Sequence, residues 1–378
     1  MKRGVKVSLI CGVAFVVLAA AVFVAVVMLS REPMVIGKSA AADVPKACRA
    51  VRIVTSVIAQ IEKSDATRII LCGGERVGDY AEFLAHAGLP VVTNEMKVTA
   101  RDIVFAASAA DLARFMGKAK VMDGALYVAC VDARGMLASR FKEEIVGHPG
   151  AVKHVWMPGA ADWVLTGVEG DEKFSLAEMM DVFSREGLME DLVAAECDGL
   201  ADVFASYVGT AEDILPAFEN VKDAIVRADN FVTREVPSFD WLSVVGVEED
   251  IRREVMAQIR TAQVVRRVML EGMYAADRGK EEEAVAAFAR VALRNPRDTM
   301  LVERMTHLRV NAQTFEKVGN DTLAAHCYET IARIYPNDPA PLEAFARCVE
   351  RLGKKELAVQ AHVRARALTK ALEGAARR

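Results

Sequence analysis

The chain carries none of the short patterns that announce common chemistry. Its seven cysteines, at 11, 48, 72, 130, 197, 327 and 348, form no C-x-x-C pair. A disulfide framework and a zinc site are therefore not expected, and buried free thiols are. Cys327 and Cys348 are the one pair that the helical pattern described below brings near each other, which leaves a single bridge open. The six histidines show no H-x-x-x-H or H-x-E spacing, and neither a P-loop nor a G-x-S-x-G elbow occurs. His148 and His154 flank an expected strand and are assigned to the surface. Trp156 and Trp163, on neighbouring expected strands, read as sheet packing rather than as a platform for bases. Charge of one sign is also missing. Lysine and arginine number 48 against 52 aspartate and glutamate, a net of −4, which excludes the basic face that nucleic-acid binding needs.

Long apolar stretches, by contrast, are present. Over half of the 378 residues are hydrophobic and 26% are charged, enough for packed cores and for two or three modest domains besides any anchor. Residues 7–29, VSLICGVAFVVLAAAVFVAVVML, contain no charge and no proline. As a helix rising about 1.5 Å per residue they extend roughly 35 Å, longer than a hydrocarbon core of about 30 Å. A cleaved signal peptide is the competing reading, but its apolar part runs only about 7–15 residues. The expectation is a transmembrane anchor at 7–29 after a cytoplasmic N-terminus at 1–6, with a stalk at 30–47. Lys2, Arg3 and Lys6 before the segment place the body outside the cytoplasm, in the periplasm if the source is bacterial.

From residue 48 the pattern alternates. Helical spacing over 49–63 precedes the apolar run Arg68–Cys72, the glycine-bearing loop 73–78, a helix at 79–87 and a second apolar run ending at Asn94-Glu95. Strands at 102–107, 124–131, 152–157 and 163–167 and helices near 109–120 and 134–146 complete an α/β pattern, read as a mostly parallel sheet with helices on both faces. The order strand, glycine loop, helix, strand ending in an acid resembles a class I methyltransferase. The run VKHVWMPGAADWVLTG (152–167) is similar to the last two strands of spermidine-synthase-like proteins, and ADNFVTREVPSFDWL (228–242) continues that likeness. The resemblance implies an adenosyl cofactor, of the S-adenosylmethionine type, held by the glycine loop and by an acid on the ribose. Gly73, Gly74, Gly78 and Glu95 are the matching positions, either as vestiges of such a site or as a plain strand-to-helix turn. The segment after Glu95 is too short for the whole fold. Ala106-Ala107-Ser108-Ala109-Ala110 stands where aminopropyl transfer needs carboxylates, and Asp111 comes late, where it starts the next helix. A degenerate Rossmann-like domain at 48–170, with a helical extension at 171–245 and no resident cofactor, follows.

Beyond 246 the pattern is helical and it repeats. Gly279, Gly319 and Gly353 each end a helix; Ala284, Ala324 and Ala358 follow five residues later, then Phe288, Tyr328 and His362. Gly272, Ala312 and Ala346 supply a small residue earlier, and Pro296 and Pro336 close the first two units. These landmarks resemble tetratricopeptide (TPR) repeats, at 265–298, 305–338 and 339–372. The likeness implies a concave face built from Arg266, Met269 and Met273, then Arg309, Gln313 and Glu316, then Glu343, Arg347 and Glu350. Such a face suits a protein or peptide partner, although the same charges also suit a solvated surface. The sequence therefore leads to a fold class of α/β plus α: a transmembrane helix, a Rossmann-like methyltransferase-type sheet and TPR helical repeats. Its expected function is a membrane-anchored interaction scaffold with a non-catalytic, spermidine-synthase-like middle. The alternative is an adenosyl-dependent transferase.

Overall fold

The computed structural model describes residues 44–376 except 74–76, 86–87, 94, 120–123, 169–173, 184, 195–198, 219–225 and 227–241. The apolar segment 7–29, Gly74 and nearly all of 228–242 lie outside the described residues. The order of elements is α1 (Val44–Ile61), β1 (Arg68–Cys72), α2 (Gly78–Ala85), β2 (Val91–Thr93), β3 (Asp102–Ala106), α3 (Ala109–Met116), β4 (Leu126–Asp132), α4 (Ala138–Gly147), β5 (Val152–Trp156) and β6 (Asp162–Val168). Next come β7 (Phe174–Ser175), α5 (Leu176–Phe183), α6 (Glu186–Ala194), α7 (Leu200–Ala205), β8 (Tyr207–Thr210), α8 (Ala211–Ile214) and β9 (Leu242–Ser243). The chain closes with α9 (Glu249–Asp277), α10 (Glu281–Arg294), α11 (Thr299–Lys317), α12 (Asp321–Ile334), α13 (Pro339–Arg351) and α14 (Lys355–Ala376).

Seven strands form one sheet in the order β2-β1-β3-β4-β6-β5-β8, and β7 pairs with β9 apart from it. Strand side chains alternate between faces, and the core follows that alternation. Ile69, Leu71, Ile103 and Phe105 face α1 and α2, against Val57, Ile58 and Leu84. Ile70, Cys72, Val104 and Ala106 face α3, against Leu112 and Phe115. β3 is buried along its whole length, as expected of a parallel strand covered on both sides. Its one charge, Asp102, is fully buried. It is held by two 2.8 Å bonds from Arg68 and by the Thr99 amide at 2.6 Å. Burial alone would raise the Asp102 pKa, but these donors hold it below the ordinary value.

The expected fold class needs correction. β2, β1, β3 and β4 are parallel, but β4–β6, β5–β6 and β5–β8 are antiparallel, so the sheet is mixed. The cause is local: Met157–Ala161 is too short for a crossover, and β5 and β6 must form a hairpin. The edge strand β8 falls inside a stretch expected to be helical. The C-terminal helices also share a core with the sheet. Phe141, Val155 and Trp163 belong to the same cluster as Phe288, Val291, Met305 and Ala324, and residues 42–378 make one compact unit. Among the described residues no helix is long and apolar enough to cross a membrane. The longest, α9, carries charges throughout its 29 residues. The described protein is thus an α/β unit with a seven-stranded mixed sheet and C-terminal helices.

Those helices form antiparallel pairs closed by glycine. Gly279, Gly319 and Gly353 have φ of +71°, +74° and +77°, the left-handed region that ends a helix most easily without a Cβ. In each pair the following amide reaches back to a carbonyl five residues earlier, as Asn320 does to Phe315 at 2.8 Å. Small residues set the crossings. A Cβ at Gly272 would stand 2.7 Å from the Phe288 ring, and Ala312, Ala324 and Ala346 are fully buried.

Candidate functional site

Three places were expected, or are shown, to gather chemistry. The first is the crevice at the carboxyl ends of β1 and β3, where open α/β sheets bind ligands. Gly73 lies there with φ +120°, and its neighbourhood is already filled. A Cβ on Gly73 would stand 2.9 Å from Asp111 Cβ, Cγ and Oδ2. Asp111 is fixed by the start of α3: Ser108 Oγ donates to its Oδ2 at 2.7 Å, and its own amide donates back to Ser108 Oγ at 3.1 Å. From the other side the Tyr80 ring, on α2, packs 5.1 Å from Phe105. Burial raises both the Tyr80 phenol and the Cys130 thiol, the latter to about 12, so both stay protonated near neutral pH. Gly78 opens α2, and Glu95 accepts from the Lys97 amide at 3.2 Å.

The second place was not foreseen. At the end of β4, Asp132 accepts two bonds from Arg134, from Nε at 2.8 Å and from Nη2 at 2.6 Å. Asp162, at the start of β6, and Glu303, on α11, lie alongside. Glu303 accepts from the Ala160 amide at 3.1 Å, and Thr299 Oγ1 donates to Pro158 O at 2.6 Å. Burial, reinforced by the Glu303 carboxylate, pushes Asp162 up to about 6. Burial raises Glu303 too, against the Ala160 amide and Arg134. The only signal in the sequence was Asp132 at the end of an apolar run; the approach of Glu303, 143 residues beyond Ala160, has no local signature.

A pH effect follows. A carboxylate whose folded pKa is raised binds its proton more tightly when folded, so its contribution to stability grows as pH falls from about 6 towards 3.8. Asp162→Asn should remove roughly 1–3 kcal/mol of that gain between pH 7 and pH 4. Urea unfolding of both proteins at the two pH values checks this. Parallel pH profiles would contradict it.

The third place is the helical face. Arg266 and Met269 are buried, because the inner side of α9 docks on the sheet unit. Gln263 there donates to the carbonyls of Phe204 and Tyr207, and Arg266 Nη2 lies 3.4 Å from Asp298. Met273 is partly buried against the same core. Arg309 is half-buried, and Gln313 is exposed. Glu316 is bound by Arg351 at 2.7 Å and by the Tyr328 hydroxyl at 2.8 Å. Glu343, Arg347 and Glu350 are exposed on one side of α13, and none of the three makes an ion pair among the described residues.

The remaining expectations on single residues divide. Trp156 and Trp163 are buried sheet residues. Cys72, Cys130, Cys327 and Cys348 are free thiols. His148 and His154, assigned to the surface, are instead buried. His154 Nδ1 and Trp156 Nε1 both bond to one oxygen of the buried Glu62, at 2.9 and 2.7 Å. No metal-holding group of histidine, cysteine or carboxylate side chains occurs among the described residues. Compared with known proteins, the chain matches no family model, no curated protein and no solved structure, so the resemblances to methyltransferases and to tetratricopeptide repeats stand as expectations from the sequence.

Proposed function

We propose that this protein is an interaction scaffold that recognises a protein or peptide partner through the exposed face of its C-terminal helices, with the sheet unit as a platform. The observation that carries the reading is the exposed row Glu343, Arg347 and Glu350. These are three charged side chains at helical spacing, without ion-pair partners among the described residues, on a helix whose other side is buried. Side chains at i, i+4 and i+7 share one face, and a row of alternating charge fits a partner segment of complementary pattern better than a polyanion. The recurrence of Gly279, Gly319 and Gly353 supports an array of like hairpins that extends this face onto α11, where Arg309 and Gln313 lie.

The alternative, an adenosyl-dependent transferase, loses support at Gly73, where the Asp111 carboxylate lies against the turn that a cofactor would have to approach. Photo-crosslinking from the full chain tests the proposal. A crosslinking residue at position 343, 347 or 350 should capture one common partner, and the same residue at exposed Val146 on α4 should not. Equal capture from position 146 would count against it. With the captured partner, Arg347→Ala should weaken binding by about 1–3 kcal/mol, since arginine is prominent among residues that dominate interfaces.

A further inference from the structure

Helix α14 packs along α13 through Ala358, Ala361 and Ala365, all buried, with Leu368 against the cluster of Leu342 and Ala365. In a stack of helical hairpins each outer side is covered by the next pair, whereas the outward side of α14 is exposed. Val359, Val363 and Ala367 lie there, four residues apart and so on one face. All three are exposed, the valines at 60% and 63%. The charges on this side are ordered about Val363. Glu356 lies seven residues before it and Lys370 seven after, two turns in each direction and so in line with it. Lys355 and Glu373 flank the same line. All four are exposed, and none makes an ion pair among the described residues. An acid two turns before and a base two turns after make a pattern complementary to its own reversal.

We infer that a second copy of this chain covers the face, as a two-fold antiparallel pair of α14 helices centred on Val363. That register sets Val359 against the partner's Ala367, a large residue against a small one. It sets Glu356 against the partner's Lys370 and brings Lys355 near the partner's Glu373, each pair occurring twice by symmetry. Arg366 meets the partner's Gln360, and Arg364 stands at the margin, about a quarter-turn from the facing line. A parallel pair would instead set like charges against each other, which is unfavourable. The apolar part is small, two valines and an alanine from each copy, so association is reversible, with Kd on the order of 10–100 µM. The pairing rests on α14 alone and does not depend on recognition at α13.

Photo-crosslinking within the purified full chain tests the pairing. A crosslinking residue in place of Gln360 should give a covalent dimer whose joined peptides both come from α14. The same residue in place of Val318, exposed just past α11, should give none. Glu356→Lys or Lys370→Glu should each cut the dimer yield about tenfold at an unchanged melting temperature. The double variant Glu356→Lys/Lys370→Glu should restore the yield. An equal mixture of the two single variants should restore it too, because each supplies the charge that the other lacks. Four results would overturn the inference: no dimer from position 360, joining of α14 to another segment of the second copy, a yield unchanged by Glu356→Lys, or no rescue by the double variant. A chain that gives no dimer, yet binds phosphatidylserine vesicles and loses them on Val363→Glu, would assign the face to a lipid surface instead.

Discussion

Gly167→Ala is expected to destabilise the protein by roughly 3 kcal/mol or more, among the larger effects of any single methyl group. Gly167, on β6, lies beneath the segment that leaves α4. A Cβ there would overlap the Pro149 carbonyl oxygen and press on the His148 ring. The crossing is tight from both directions, because a Cβ on Gly150 would stand 2.7 Å from the Gly167 carbonyl carbon, and Gly150 has φ +104°. Backbone cannot yield as a flexible side chain does. Relief must come either from parting β6 from its pairs with Tyr127 and Lys153 or from lifting His148 off Tyr127 O. Urea unfolding at pH 7 measures the loss. A change below about 1 kcal/mol would mean that the segment 148–150 moves aside freely.

A second large effect is expected in the helices. Ala324, on α12, is fully buried in the cluster that joins the helices to the sheet. Ala324→Arg places a long charged side chain where two helices touch, with neither volume nor a partner for it. A buried unpaired charge together with overpacking should remove about 4 kcal/mol or more and abolish cooperative unfolding. Because the cluster also contains Trp163 and Phe141, tertiary signals from those aromatic residues should fall with the helical signal. Thr322→Arg, two residues away on the exposed side of the same helix, should change stability by no more than about 0.5 kcal/mol. Loss of the helical signal alone, with the aromatic environment intact, would show that the helices and the sheet unfold separately.

The local pattern made much of the secondary structure legible. The apolar run Arg68–Cys72 is a strand where its composition places it, since a parallel strand buried on both faces leaves a near-continuous apolar run. The glycines at 279, 319 and 353 mark helix ends because a left-handed residue is a local requirement. Asp111 lies in the first turn of α3, where its amide donates to the capping Ser108 side chain. What was not legible depends on contacts distant in sequence. Arg266 and Met269 have the spacing of an exposed helical face, yet they are buried because α7 and β8 lie against that side of α9. Tyr207–Thr210, only four residues long, has strand-favouring Tyr, Val and Thr but is too short to stand out, and β5 offers it the edge on which it pairs. His148 and His154 are buried because a backbone carbonyl and a carboxylate 92 residues away accept their N–H groups or pair with them, and no local pattern announces such a partner. The carboxylates of Asp162 and Glu303 meet only when α11 docks on the β5–β6 turn.

The proposed function places recognition on the exposed side of α13. Its most direct measurement is the affinity of the captured partner for the full chain carrying Glu343→Lys, Arg347→Glu and Glu350→Lys together. All three positions are exposed, so the melting temperature should stay within a few degrees of the parent. Binding should weaken by about a hundredfold or more, on the order of 3 kcal/mol. A partner that binds the folded triple variant as tightly as the parent would contradict the account and move recognition away from this face.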